Sequence, residues 1–535
     1  MAPTHGREEI EGRSYKEYAY SPVPASSSSA AYDSATPRRQ SDDNGDGSTR
    51  YNDPSSVRKF LLTDMTEKGS TILQYVAAAA ANLCTVSAGA MIGWTSPVLP
   101  NLQKSLENNP LGRLITDDES SWIGSLIALG AVIGCFAAGS MSERWGRKRT
   151  LLGAVVPFLI GWILIASAKI VIQLYVARLI LGFAMAFAFT IVPMYCGEIA
   201  ETSVRGALGS FLQLFITIGF LYSYSIGPSV SYVVFWILCA ILPIVFFGCF
   251  ATMPESPYYL LKVGRRTEAI AALARLRGKS AASVQKEADE MQGAIEEAFR
   301  NKASIADLFN SKANFKALIY TCLLVAFQQL SGINVVLFYM QAIFDSAGTS
   351  LKTSVATIIV GVVQVVASCV TPIVVDRLGR RMLLIISGTG EIVTLCALGI
   401  YFYLHDALHS DMSSISFLPI LSLVIFISTY SVGWGPLPWT VMGEMFASNV
   451  KSKASGITVC VCWLLAFFIT KFSNTLQNAF GNYTLYWVFS VFCLVSVLFT
   501  VFVLPETKGK SLKQIQDELN GVRASDLEIN MSGKY

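Results

Sequence analysis

Long uncharged apolar stretches, separated by short polar connections, recur along most of this chain. Crossing a hydrocarbon core of about 30 Å takes about 20 helical residues. Stretches of that length lie at 72 to 97, 121 to 141, 150 to 168, 171 to 195, 206 to 226 and 231 to 252. A second set lies at 315 to 344, 353 to 375, 382 to 404, 415 to 443, 454 to 474 and 483 to 504. The pattern predicts an all-α membrane protein with twelve transmembrane helices in two six-helix halves, 72–252 and 314–504. Between the halves, residues 253–313 carry GRRTEAIAALARLRGK and SVQKEADEMQGAIEEAF, where charges interrupt a helical apolar period. This insert reads as amphipathic helices lying against the membrane protein. Residues 1–68, rich in Ser, Pro, Asp and Gly, bury too little apolar surface to offset the entropy of ordering and read as a disordered tail. Residues 505–535 form a short C-terminal tail.

Composition agrees with that pattern. The 535 residues are 53% hydrophobic and only 15% charged, where a soluble domain carries roughly 25% charged residues. A net charge of +4, with basic residues in scattered short clusters, gives no support to nucleic-acid binding. The eleven cysteines fall in or beside apolar stretches and read as small hydrophobes, without metal-ligand spacing. A polar start argues against a cleavable signal peptide. Connections on one side hold only Lys104, Arg113, Lys169, Lys352 and Lys471. Those on the other hold Arg144, Arg147, Lys148, Arg149, Arg205, Arg377, Arg380, Arg381, Lys451, Lys453 and the basic residues of the insert. The positive-inside rule therefore predicts that both termini and the insert are cytoplasmic.

Signals also repeat between the halves. SERWGRKR after the second span matches VDRLGRRM after the eighth, GEIAETSVRG matches GEMFASNVKSKASG, and PESP matches PETKG. Arg144 thus pairs with Arg377, Glu198 with Glu444 and Pro254 with Pro505. Matches in one order at similar separations indicate duplicated halves. These motifs resemble the sugar porter branch of the major facilitator superfamily over residues 72 to 510. IGWTSP, NPLGRLITDDESSWIGSL and SVGWGPLPW are most similar to insect facilitated trehalose transporters.

Span seven, AFQQLSGINVVLFYMQ, places Gln328, Gln329, Ser331, Asn334 and Tyr339 in an otherwise apolar segment. Such groups are costly in lipid when unsatisfied, so they serve either interhelical hydrogen bonding or a ligand. On a straight helix Gln328 and Tyr339 share a face, whereas Asn334 is displaced by about 120° from both. A break at Gly332 would aim all three inward, and broken helices near the midplane are where such carriers hold substrate. Amides offer donors and acceptors without charge, which suits a neutral polyol. Gln213 in span five and Gln364 in span eight are further isolated amides. The resemblance implies that Gln213, Gln328, Gln329, Asn334 and Gln364 surround a central cavity with Trp439 beneath the sugar ring; a membrane-interface role is the alternative for Trp439. Glucose facilitators carry Glu where this chain has Ser431 and Asn where it has Cys462, which points away from glucose.

The resemblance further implies an inner charged network linking the halves: Glu198 with Arg205, Arg144 and Arg147, then Glu255; and Asp376, Arg377, Arg380, Arg381, Glu444, Lys451 and Glu506. Simple positive-inside anchoring accounts for part of the arginine content but not for carboxylates at matched repeat positions. Lys451 stands where relatives carry Arg, so that pair loses its bidentate fork. Arg178 and Glu391 lie inside spans, where each needs a partner or water. Glu391 is either structural or a proton carrier. His405, Asp406, His409 and Asp411 read as a solvated loop rather than a metal site. Asn482 starts a glycosylation sequon beside span twelve, and Asn530 starts another in the tail.

The expectation is a facilitative sugar uniporter of the plasma membrane, working by alternating access as a monomer in the bilayer, with trehalose as its cargo and no cofactor or metal. A hexose facilitator, a proton-coupled symporter and a membrane sugar sensor are the alternatives. Symporters of this type carry an acid in span one, and residues 69 to 103 contain none. No nucleotide-binding loop or acid–base pair suggests an enzyme.

Overall fold

Each predicted apolar stretch folds as a membrane-length helix, and the computed structural model has twelve of them among its described residues. Those residues are 69–521, apart from 107–108, 301–305, 350, 447 and 511. The N-terminal tail, the sequon at Asn530 and the side chain of Asp376 lie outside them. The first six spans are Ile72–Lys104, Asp117–Trp145, Arg147–Ala166, Val171–Ile199, Arg205–Ser229 and Tyr232–Ala251. The second six are Lys312–Ala347, Thr353–Val375, Arg380–Ala407, Leu418–Met445, Lys453–Phe480 and Asn482–Phe502. No strand occurs among the described residues.

Local chemistry sets several boundaries. Span two opens with a capping box, Thr116 Oγ1 accepting from Glu119 N–H while the Glu119 carboxylate accepts from Thr116 N–H. Close packing relies on small residues: a side chain added at Gly89 would strike the backbone of span five at Ile216, and one at Gly182 the backbone of span two at Ile127. The perimeter presents Ile133, Phe136, Ile163, Ile172, Val366, Val393, Phe468 and Leu498 outward, as a lipid-facing surface requires.

The insert forms the helices Pro257–Lys262, Arg266–Arg277, Gln285–Arg300 and Ala306–Asn310. It docks beneath the first half through buried Arg277, which donates to Ile199 O (2.8 Å) and pairs with Glu201 (3.2 Å) and Glu287 (2.7 Å). Gln74 closes the seam, donating to Leu276 O and accepting from Glu201 N–H. The C-terminal tail contains a helix, Leu512–Asn520, not foreseen from its sequence. Ile515 and Leu519 bury its apolar side, Gln516 Nε2 donates to Met445 O (2.6 Å), and Lys316 Nζ donates to Leu519 O (3.0 Å).

At the end opposite the insert, the halves are tied together. Lys104 of span one pairs with Asp345 of span seven at 3.0 Å. Lys471 of span eleven reaches Asp118 (2.5 Å) and Ser121 (2.9 Å) at the start of span two. Asn478 Nδ2 donates to Asp117 at 3.2 Å. Deeper, Tyr224 Oη donates to Leu337 O (2.8 Å), and Ser96 Oγ accepts from Gln341 N–H (3.2 Å).

Candidate functional site

Span seven is two helices, Lys312–Leu330 and Ile333–Ala347, joined at Gly332 with φ +80°. The break falls at the expected glycine, but it does not aim Gln328, Asn334 and Tyr339 at one point. It brings Asn334 back to Gln329, Nδ2 donating to Oε1 at 2.5 Å, and Gln329 Nε2 donates in turn to the Cys462 Sγ of span eleven at 3.1 Å. Gln328 turns the other way. Its Nε2 donates to Trp434 O (2.7 Å) and Gly435 O (2.9 Å), carbonyls freed where span ten unwinds between Leu418–Val432 and Leu437–Met445. Tyr339 has non-helical torsions, φ −117° and ψ 17°, and its buried Oη sits against Gly124 of span two without a hydrogen-bond partner.

Gln364 Oε1 of span eight and Ser431 Oγ of span ten are likewise buried without hydrogen-bond partners among the described residues. Thr371 of span eight donates to Ser431 O at 2.9 Å, joining spans eight and ten. The first half supplies an aromatic wall, Phe189 lying edge-on to Trp463 with ring centres 5.6 Å apart. Gln213 and Trp439 are half-buried, and no hydrogen bond ties either of them among the described residues. The fully buried tryptophan of the GWGPLPW segment is Trp434, its Nε1 donating to Leu384 O. The structure thus joins Asn334, Gln329 and Cys462 into one chain, and ties Gln328 separately to the carbonyls of span ten. Tyr339, Gln364 and Ser431 present unpartnered polar atoms, and Gln213 and Trp439 are tied to neither group.

At the insert end the sequence repeat is a geometric repeat. Gly146 (φ 93°, ψ 166°) and Gly379 (φ 85°, ψ 167°) make the same turn at matched positions. Only glycine adopts it without strain. The turn aims Arg147 at Glu198 (2.8 Å) and Arg380 at Glu444 (2.9 Å). It also exposes two successive N–H groups: those of Arg147 and Lys148 donate to Glu255, and those of Arg380 and Arg381 donate to Glu506. Burial opposes ionisation of Glu506, but the N–H groups of Lys508, Arg381, Arg380 and Thr507 hold its carboxyl below the usual range. That contribution to stability exists at neutral pH and is lost as the pH falls through the folded value.

These clusters select among the expected contacts. Of the three arginines expected beside Glu198, Arg147 forms the ion pair, because the turn at Gly146 directs it back under span four. Arg144 and Arg205 form no ion pair among the described residues. Arg144 and Arg377 offer their carbonyls, to Tyr259 Oη and Lys508 Nζ. Arg381 donates to the carbonyls of Thr500 and Val501. Lys451 Nζ donates to Gly443 O beside Glu444, and burial lowers its pKa while that carboxylate opposes the shift. At the insert end, the ion pairs among the described residues stay within a half or join the first half to the insert, forming two clusters. Burial separates them: the Arg147 side chain is 3% exposed and that of Arg380 17%. Arg147→Ala strands the Glu198 carboxylate and should cost about 3 kcal/mol. Arg380→Ala should cost clearly less, an order that thermal unfolding of purified protein would check.

Comparison with known proteins follows the same outline. The family model described as "Sugar (and other) transporter" matches residues 81–519. The chain belongs to the sugar transporter family. Facilitated trehalose transporter Tret1 of Bombyx mori is 35% identical over 447 residues, covering 83% of this chain and 86% of that protein. The mouse protein named solute carrier family 2, facilitated glucose transporter member 8, is 35% identical over 487 residues, covering 88% and 99%. In structure, the inward-open xylose transporter XylE of E. coli aligns with a TM-score of 0.69 at 23% identity, covering 83% and 99%, and shares the fold. This sugar transporter is therefore a multi-pass membrane protein of the major facilitator fold.

Several of its polar contacts were missed in the sequence. Lys471 entered only as a loop charge, although a lysine inside an apolar run was a visible signal. In the structure it is nearly buried and lies 4.6 Å above the Trp122 ring. Arg178 is buried, donating to Ile123 O and Met91 O at 2.9 Å each, with its guanidinium over the Trp94 ring. At the far loop His405 contacts Asp406 at 2.7 Å, Asn482 Nδ2 donates to the other Asp406 oxygen, and the described residues contain no metal-capable group of three.

Proposed function

We propose that this transporter is a facilitative carrier that moves trehalose down its gradient by alternating access, with the sugar held at the break in span seven. The observation that carries the reading is the uncharged pair of buried Gln329 and half-buried Asn334 at Gly332. Polar atoms of Tyr339, Gln364 and Ser431, on spans seven, eight and ten, are buried without a partner among the described residues. A sugar ring supplies hydroxyls that can both donate and accept, which amide and hydroxyl groups match without retaining an ion. Gln213 from span five and Trp439 from span ten complete the pocket as the halves rock. The ties among Lys471, Asp118, Lys104 and Asp345 close the outer end, and the Glu198 and Glu444 clusters fix helix ends at the inner one. Both termini and the insert are cytoplasmic, in keeping with the basic residues at that end. The carrier works as a monomer in the plasma membrane.

Trehalose is favoured over glucose by similarity to the silkworm protein and by Cys462, which meets Gln329 where glucose facilitators present an amide. Glucose is the second reading, supported by the mouse relative. Gln329→Ala should lower uptake per surface molecule by roughly threefold to tenfold, the equivalent of about one hydrogen bond. Cys462→Asn should raise glucose uptake relative to trehalose by up to a few fold. Labelled trehalose and glucose, measured side by side in cells lacking their own carriers, test both. Wild-type uptake by Gln329→Ala would count against the site.

Coupling to protons needs a group in the path that gains and loses a proton, and span one contains no acid. Arg178, which could face such an acid, gives its Nε and Nη1 to the carbonyls of Ile123 and Met91 and leaves Nη2 without a partner among the described residues. Uptake should therefore be unchanged by a protonophore, and a sugar-evoked inward current would contradict uniport.

A further inference from the structure

Glu391 of span nine is 1% exposed and takes part in no ion pair among the described residues. Its neighbours are polar but uncharged. Ser387, one turn earlier, places its Oγ 3.1 Å from Glu391 Oε1, and the Cys493 thiol of span twelve lies 3.6 Å from Oε2. Tyr430 of span ten packs nearby. Ser387 is the joint of this arrangement. Its Oγ is also 2.7 Å from Thr429 O and accepts from Trp434 N–H at 3.2 Å. A hydroxyl has one proton and cannot donate to both Thr429 O and Glu391 Oε1. With that proton on the nearer acceptor, Thr429 O, the contact to Glu391 is a hydrogen bond only when the carboxyl is the donor. Every atom is then satisfied: Ser387 accepts from Glu391 and Trp434 and donates to Thr429, while Glu391 Oε2 accepts from the Cys493 thiol.

The consequence reaches the sugar site. Trp434 N–H is held by Ser387, and Trp434 O, in the unwound segment of span ten, holds the amide of Gln328. We propose that Glu391 is a positioning residue of the sugar site: as a neutral hydrogen-bond donor it fixes Ser387, and through it the broken segment of span ten whose carbonyls orient Gln328. The proposal rests on the reading of span seven as the sugar site. A proton carrier must exchange its proton along the transport path, whereas Glu391 is enclosed by spans nine, ten and twelve.

The test is the concentration dependence of labelled trehalose and labelled glucose uptake, normalised to surface abundance, in wild type and a small set of variants. Glu391→Gln retains a donor and should stay within about twofold of wild type in KM. Glu391→Met and Ser387→Ala should each raise KM by about threefold to tenfold while leaving the maximal rate per molecule nearly unchanged. Ser387→Ala keeps the acid and removes only the joint, so it tests the chain even if Glu391→Met reaches the surface poorly. Glu391→Met combined with Gln328→Ala should be no worse than Gln328→Ala alone, because both act through one contact. Glu391→Gln behaving like Glu391→Met, or full additivity with Gln328→Ala, would overturn the positioning role. An effective Gln329→Ala with silent Gln328→Ala, Glu391→Met and Ser387→Ala overturns this proposal alone; a silent Gln329→Ala removes the site reading beneath it.

Discussion

Gly332→Ala should reduce sugar uptake per surface molecule by about thirtyfold. Two independent penalties fall on the same carbon. The φ of +80° lies in the left-handed region, where a non-glycine residue costs about 1 to 2 kcal/mol. A Cβ there would also overlap the Phe489 ring of span twelve, and overpacking adds about 1 to 3 kcal/mol. The chain can relieve both only by straightening the helix. That separates Asn334 from Gln329, because the contact exists only across the break. Gly332→Ala combined with Phe489→Leu should recover part of the loss by removing the clash while keeping the torsional strain. Surface labelling alongside uptake checks the result, and near-normal uptake by Gly332→Ala would show that the break is not needed for transport.

Lys471→Met should produce the next largest effect, and it should appear in conformation before flux. The side chain is 8% exposed, with Nζ close to Asp118, Ser121 and the Trp122 ring. Asp118 is 71% exposed, so solvent screens that ion pair and it contributes little. The buried hydroxyl contact and the cation over the ring carry more, about 1 to 2 kcal/mol together. Losing them should shift the rocking equilibrium by roughly fivefold to thirtyfold toward the state open at that end. Hydrogen exchange should rise in residues 118–124 and 333–347, and Asp118→Asn should give a smaller change in the same segments. Unchanged exchange in both variants would mean that these ties are ornaments of a closure held elsewhere.

The helices were legible because lipid leaves a chain few choices: with no water to satisfy the backbone, an apolar run of sufficient length becomes a helix. The break at Gly332 was legible from a glycine amid clustered amides, although it does not bring Gln328 and Asn334 to one face as helix geometry suggested, because Gln328 turns to span ten. Their partners were not. Gln328 bonds to two backbone carbonyls, and a carbonyl carries no signature in sequence until span ten is known to unwind beside it. Which of Arg144, Arg147 and Arg205 would pair with Glu198 was hidden for a related reason. It depends on where the Gly146 turn directs the chain, not on residue type. Glu391 stood out as costly in a span, but its role depends on a proton count at Ser387 that only the packing of spans nine and ten reveals.

The most direct measurement is flux of labelled trehalose into liposomes containing the purified protein, with and without an imposed proton gradient. The account predicts that internal trehalose rises to the external concentration and stops there, at the same plateau with either gradient, and that Gln329→Ala approaches it severalfold more slowly. Accumulation above the external concentration when the outside is acidic, or entry of glucose with no entry of trehalose, would contradict it.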